Sequence, residues 1–348
     1  MGDYATILSE RIGTLAPAST ENILIACGHQ RQATLSARDG INLTGVCDAK
    51  KLADKVVGLA PRGLVLNYVG YGYAPRGAPL WLLRAVEQIR QRAAEIRLLV
   101  MFHELYAVGL PWQSAFWLSP IQRHVARHLV ELSDSWITNR EGSAEWLRRY
   151  AANKPHTVLP VFSNVGEQAI YSSKREAKIV VFGGGGLRRL TYRTAGNALF
   201  SWAQAQNLSI HDIGPPIDDE QLMRRLKHMN VCFHGLLAAS EVSAQLADAM
   251  FGVVTYPVDF VAKSGVYAAY CSHGICPILI SDKYVSADRL VANRHYVAGM
   301  PATIFRSDFY ATVAATGWAW YQEHSVNAHG EFMQSLLNLP PPGINYAR

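Results

Sequence analysis

Short apolar runs recur along the chain, most of them stopped by glycine or by a polar pair. They fall at residues 22–27, 64–69, 98–102, 136–138, 158–162, 179–182, 209–213, 231–234, 252–256 and 277–280, with a weaker one at 43–47. A run without polar alternation suits a strand buried on both faces, the habit of parallel sheets. Between the runs, apolar positions return every three or four residues. Leu82, Val86 and Ile89 mark one helix face with Arg84, Glu87, Gln88 and Arg90 outside; Leu118, Ile121, Val125, Leu129 and Leu132 mark another. Thr138-Asn139-Arg140-Glu141 has capping-box spacing and predicts a helix through Tyr150. Helices are also predicted over 192–206, over 218–229 with Leu222, Leu226 and Met229 inside, and over 240–250. Residues 1–20 read as a short helix and a loop. The last third reads as helical, with bulk from Phe309, Val313, Trp318, Trp320 and Tyr321, ended by Pro340, Pro341 and Pro342.

Strand alternating with helix predicts an α/β fold of doubly wound type. The chain has 348 residues, and at roughly 150 residues per domain it divides into two. The polar, aperiodic stretch 163–178 marks the boundary, giving domains 1–164 and 165–348, with the C-terminal helices able to pack back on the first. Hydrophobic residues make up 49%, enough for two full cores. The net charge of +6 suits phosphorylated ligands or an acidic surface. No basic run or recognition-helix pattern points to nucleic acid. Five cysteines without a C-x-x-C pair fit reduced thiols, and the start lacks a signal-peptide pattern. A cytoplasmic location is therefore expected. Peripheral contact with the inner membrane face is allowed by Trp112, Phe116 and Trp117 beside Arg123 and Arg127. No apolar run approaches the ~20 residues that cross a bilayer. The oligomeric state is not encoded.

Three stretches carry candidate chemistry. Lys263-Ser264-Gly265 opens a short helix that Gly274 closes. Its start offers unpaired N–H groups, the positive end of the dipole, a hydroxyl and an ammonium, which together suit a phosphate. An ordinary capped core helix reads the same way. Gly183-Gly184-Gly185-Gly186-Leu187-Arg188-Arg189 follows a strand. Backbone without Cβ can approach a pyrophosphate there, and two arginines can neutralise it. A dinucleotide fingerprint would need a third glycine where Leu187, Arg188 or Arg189 stands, and an acid near 204–208, where none occurs. That points away from NAD. His103-Glu104 stands at a strand's carboxyl end, where α/β sheets hold ligands and where either side chain could act as a base. H-E-x-x-H fails because residue 107 is Ala. His124 and His128 have metal-ligand spacing but no third partner, so they read as a solvated basic face. Tyr71, Tyr73 and the nearby tryptophans offer stacking platforms or loop packing. Walker A, G-x-S-x-G and Asp-x-Asp are all absent.

In this order the pieces resemble a GT-B glycosyltransferase, over most of the chain. The resemblance implies two Rossmann-like domains facing a central cleft, the first for the acceptor and the second for a nucleotide-sugar. His103-Glu104 looks like the family's His-Asp pair and would be catalytic. Leu159-Pro160-Val161-Phe162-Ser163-Asn164 looks like the segment before the second domain. Gly28, Tyr71, Tyr73 and Arg76 would meet the acceptor. Gly184, Gly185, Gly186, Arg188, Arg189, His234, Asp259, Lys263, Ser264, Gly265 and Tyr267 would meet the donor. The stretch 256–277 looks like the family's signature segment, where retaining members carry Glu-x7-Glu; here Asp259 stands near the first position and Tyr267 at the second. The implied activity is transfer of a sugar from a UDP- or GDP-linked donor to a hydroxyl acceptor, hexosyltransferase in type, as in polysaccharide biosynthesis, with no metal and no cofactor. The alternative is a non-catalytic module that binds a nucleotide-sugar or a partner.

Overall fold

The computed structural model describes residues 2–15, 21–28, 41–44, 47–301 and 307–338. Two compact units divide the chain: residues 1–159 together with the segment from Val326 onward, and residues 160–325. The split thus falls five residues before the expected one, and the C-terminal helix belongs to the first unit. Pro160 has no N–H to donate, so the strand expected over 158–162 stops at Val158. The next residues bond into the second unit, Val161 N donating to Ala262 O at 2.9 Å.

The first unit runs α1 (Gly2–Leu15), β1 (Ile25–Gly28), β2 (Ile41–Thr44), α2 (Ala49–Leu59), β3 (Gly63–Tyr68), α3 (Gly70–Tyr73), α4 (Leu80–Arg92), β4 (Arg97–Phe102), α5 (Ser114–Leu132), β5 (Ser135–Thr138), α6 (Glu141–Ala151) and β6 (His156–Val158). β3, β4, β5 and β6 form a parallel sheet in that order, and β1 pairs with β2 in parallel. All six residues of β4 are buried, as a central strand's unbroken apolar run requires. Around it Leu82, Val86, Val125, Leu129 and Trp136 build the core.

α2 is a helix that the apolar periodicity did not single out. Its signal is the cap: the Asp48 carboxylate accepts from Lys50 N at 2.9 Å and Lys51 N at 3.2 Å. The capping box at 138–141 does not form. Arg140 is the N-cap residue and its side chain does not cap the helix, Thr138 Oγ1 donates to Phe102 O at 3.0 Å, and Glu141 pairs with Arg148. Thr138 ends a buried strand, and the neighbouring strand's carbonyl claims its hydroxyl first.

The second unit runs β7 (Glu176–Phe182), α7 (Gly185–Ala205), β8 (Ser209–Ile213), α8 (Glu220–His228), β9 (Cys232–Gly235), α9 (Ala239–Ala247), β10 (Ala249–Thr255), a 3-10 turn (Val258–Lys263), α10 (Gly265–Ser272), β11 (Cys276–Ile280), β12 (Val297–Ala298) and α11 (Ser307–Gln322). Its sheet is parallel throughout, in the order β12-β11-β10-β7-β8-β9. Met229, expected inside α8, lies just past its end and is 40% exposed. The last described helix, α12 (Val326–Asn338), packs on α1, with Tyr4 Oη and His329 Nδ1 2.9 Å apart. The proline triplet at 340–342 lies outside the described residues.

Candidate functional site

The order of the second sheet fixes where a ligand fits. From β7 the chain winds to β8 and β9 on one side, then returns through β10 to β11 and β12 on the other. Helices therefore leave β7 and β10 in opposite directions, and a crevice opens at their carboxyl ends. Pairing between β7 and β10 stops at Gly252 with Val180. Beyond it the Tyr270 hydroxyl takes over: it accepts from Phe182 N at 3.1 Å and lies 3.1 Å from Val180 O. Gly252 makes room for that ring, because a Cβ there would sit 2.6 Å from it.

A cavity of about 340 Å³ occupies this edge, lined among others by Gly183, Gly184, Gly214, Leu236, Gly265 and Val266. Its glycines are not interchangeable. Gly183 has φ +123°, and a Cβ on it would lie 2.9 Å from Val266 Cγ2. A Cβ on Gly185 would lie 2.7 Å from Pro216 O, and one on Gly214, at φ +148°, would strike Gly183 O. Gly184 and Gly186 have nothing within 4 Å of that position, so space rather than packing surrounds them. Two helices begin at the cavity. α7 starts after Gly184, and α10 starts after Ser264, whose hydroxyl accepts from Tyr267 N at 3.2 Å. Both ends carry partial positive charge.

The structure reassigns several predicted donor residues. Arg188 is 1% exposed and faces inward. It pairs with Asp212, donates through Nε to Gly183 O at 2.8 Å and bonds Pro215 O. It ties the loops after β7 and β8 together instead of offering charge to a ligand. Tyr267 is fully buried; its hydroxyl donates to His295 O at 3.0 Å and its ring meets Trp320 edge-on. The second carboxylate position of the resemblance is thus a core position here. His234 stacks on His211 at the sheet edge, Nε2 to Nδ1 at 2.9 Å, and does not line the cavity. Burial, then Lys178 and His234, hold the His211 imidazole below its ordinary value. Arg189 is exposed and donates to Asp218 O at 3.1 Å. Asp259 is exposed on the 3-10 turn that ends in half-buried Lys263. Gly184 and Gly265 stand at the cavity itself, with Gly185 and Gly186 in the first turn of α7.

In the first unit the strand ends also gather candidates. His103 follows β4, is buried, lies edge-on to Tyr4 at 4.6 Å and sits 3.3 Å from Asn67 Oδ1. Glu104 is exposed in the same loop, and with burial it pushes the Tyr68 hydroxyl upward. Gly28 ends β1 at φ +136°, where a Cβ would lie 2.7 Å from Gly72 O. Tyr73 is a scaffold residue: its hydroxyl donates to Asn67 O at 2.8 Å, and its own carbonyl accepts from Trp81 Nε1 at 3.0 Å. Tyr71 is exposed, and its hydroxyl accepts from Gln122 Nε2 at 3.4 Å. The Arg76 side chain is exposed, while its carbonyl accepts from Gln122 at 2.9 Å. Among the described residues no three His, Cys, Asp or Glu side chains converge to hold a metal.

Sequence reading missed Gly214, Leu236 and Leu237 as cavity residues. Gly214-Pro215-Pro216 was legible as a strand breaker; only the sheet order shows that this break lies beside Gly183.

No family model and no curated protein matches the chain. Solved structures do. A trehalose-6-phosphate synthase, OtsA, aligns with a TM-score of 0.59 at 12% identity, over 97% of this chain and 94% of that one. An alpha-glucosyltransferase in complex with UDP-glucose and DNA containing an abasic site aligns with a TM-score of 0.58 at 12% identity, over 96% and 95%. The UDP-GlcNAc 2-epimerase of Neisseria meningitidis, bound to UDP-GlcNAc, aligns with a TM-score of 0.56 at 9% identity, over 97% and 96%. Near-complete coverage at such low identity is a likeness of architecture, and the architecture of this chain is the α/β GT-B fold of the glycosyltransferases among these structures.

Proposed function

We propose that the protein binds a nucleoside diphosphate sugar in the second unit and transfers the sugar to a hydroxyl acceptor. The observation that carries this is the cavity where Gly184 opens α7 and Gly265 opens α10. Two helix starts and backbone without Cβ suit a diphosphate, each helix end contributing roughly 0.3–1 kcal/mol toward an anion. In transfer, negative charge grows on the departing diphosphate. Fixed N–H donors stabilise it more than they stabilise the bound sugar nucleotide, and that difference is what lowers the barrier. Lys263, just before the α10 cap, and exposed Arg189 are the cationic side chains of these segments. In this reading they and the N–H groups meet the diphosphate without a metal or cofactor. The three neighbours are described as a trehalose-6-phosphate synthase, a UDP-glucose complex and a UDP-GlcNAc complex, which supports a nucleotide-sugar ligand. Exposed Glu104 is the candidate base toward the acceptor hydroxyl, with His103 and Asn67 behind it.

A thermal-shift screen with UDP, GDP, dTDP and CMP tests ligand binding, since a ligand of the folded state alone raises the Tm. A rise with one diphosphate nucleotide, followed by its release from the matching sugar nucleotide, is expected. No shift with any of them overturns the reading. A second reading, a nucleotide-sugar-binding module without transfer, is favoured by Tyr267, which fills with a core side chain the position where the resemblance places a carboxylate. Binding without release across a panel of sugar nucleotides and acceptors would select it.

A further inference from the structure

The loop after β4 and the first half of α5 carry apolar side chains in solvent. Val108 is 83% exposed, Trp112 78% and Trp117 69%, with Leu110, Phe116 and Ile121 also exposed. Exposed apolar residues are ordinary one at a time; six within fourteen residues, two of them tryptophan, are not. The loop is nonetheless tied down. Trp117 Nε1 donates to Pro111 O at 2.8 Å, Leu110 N to Gln113 Oε1 at 3.0 Å, and Ala107 N to Gln122 Oε1 at 2.6 Å. Phe116 and Trp117 meet edge-on at 5.3 Å.

Charge continues the pattern along the helix. The exposed face of α5 passes from Phe116, Trp117 and Ile121 to Arg123, His124 and Arg127. Arg123 stacks over the Tyr106 ring at 4.2 Å, and Arg127 pairs with Glu131 at 2.8 Å. No aspartate or glutamate occurs between Glu104 and Glu131. Protruding indoles beside cations in an acid-free stretch match the boundary layer of an anionic bilayer, where rings sit among headgroups and arginines meet lipid phosphates.

We infer that residues 108–121 seat the first unit on an anionic membrane surface, with Arg123 and Arg127 at the headgroups. This does not rest on the donor reading and fails separately from it. The test is flotation of the full chain with vesicles of phosphatidylcholine alone and of phosphatidylcholine with phosphatidylglycerol. Flotation with the anionic vesicles at low salt is expected, weakening as salt shortens the screening length. Trp112→Ser with Trp117→Ser should cut partitioning at least about tenfold, and Arg123→Gln should weaken only the anionic binding. A readout needing no variant is quenching of wild-type tryptophan fluorescence by brominated acyl chains. Absence of flotation with anionic vesicles, absence of quenching, or equal flotation of the tryptophan variant overturns the inference. So does a wild-type dimer in sedimentation velocity that the tryptophan variant dissolves while vesicle binding is nil, which would assign the patch to a second copy of the chain.

Discussion

Arg188 shows how one side chain changes role between sequence and structure. In the sequence it is a cation beside four glycines. In the structure its guanidinium is buried against Asp212 and two loop carbonyls. Removing it leaves a carboxylate buried without its partner, a loss of roughly 3–5 kcal/mol. Arg188→Ala should therefore lower stability by that order in urea unfolding, while exposed Arg189→Ala should stay within about 0.5 kcal/mol. Gly184 gives the opposite contrast. Nothing lies near its missing Cβ, so Gly184→Ala should keep the Tm of the free protein yet weaken the nucleotide-induced Tm shift. Three histidines set the response to acid. His211, His273 and His295 are each held below the ordinary 6.5, chiefly by burial. They stay neutral in the folded protein while the unfolded chain takes up protons first. Stability should be complete above pH 6.5 and fall as pH drops toward the lower folded values. His273 is fully enclosed, with Ser243 Oγ at 2.8 Å and Ala269 O at 2.8 Å. His273→Gln should flatten the decline, read as the slope of unfolding free energy against pH.

At the scale of elements, α7 is the informative helix. It was expected to begin near Tyr192, where apolar periodicity becomes clear; it begins at Gly185. Its first turn is glycine-rich and poor in helix propensity, so no helix signal starts there. What holds that turn is tertiary: Arg188 anchors it to Asp212, and Gly185 lies against Pro216. The helix also kinks at Gly196, which has φ +59° and ψ −140°. There is open space for a Cβ, but the backbone conformation suits only glycine. Gly196→Ala should cost roughly 1–3 kcal/mol, or straighten α7 at a similar cost to its packing on β10. A Gly196→Ala variant with wild-type stability in urea unfolding would disprove the strain. α10 behaved as its cap residues implied, because Ser264 and the following apolar run agree locally with what the core needs.

For the whole molecule, the C-terminal helix decides which residues make a unit. α12 returns to the first unit, where His329, Met333 and Leu336 are buried, Arg11 of α1 donates to Asn327 Oδ1 at 2.8 Å and Gln334 Nε2 donates to Leu15 O at 3.3 Å. A chain stopped at Ser325 should lose hydrogen-exchange protection over α1 and the first sheet while residues 160–325 keep theirs. Equal protection in both units would show that α12 adds little.

The alternation of apolar run and amphipathic helix was enough to place most strands and to require an α/β chain of two units. These are local properties: a buried parallel strand must be apolar on both faces, and a capped helix announces its first turn. Where charged and aromatic side chains point was not local. Arg188, Tyr267, Tyr73 and His234 all have the chemistry of ligand contacts, and packing turned each toward protein partners. The cavity depends on residues from five separated stretches, brought together by the winding of the second sheet. Sequence determined which segments become strands and helices; only the order of strands in the sheet decided which of their ends share a crevice, because that order is set by long-range pairing.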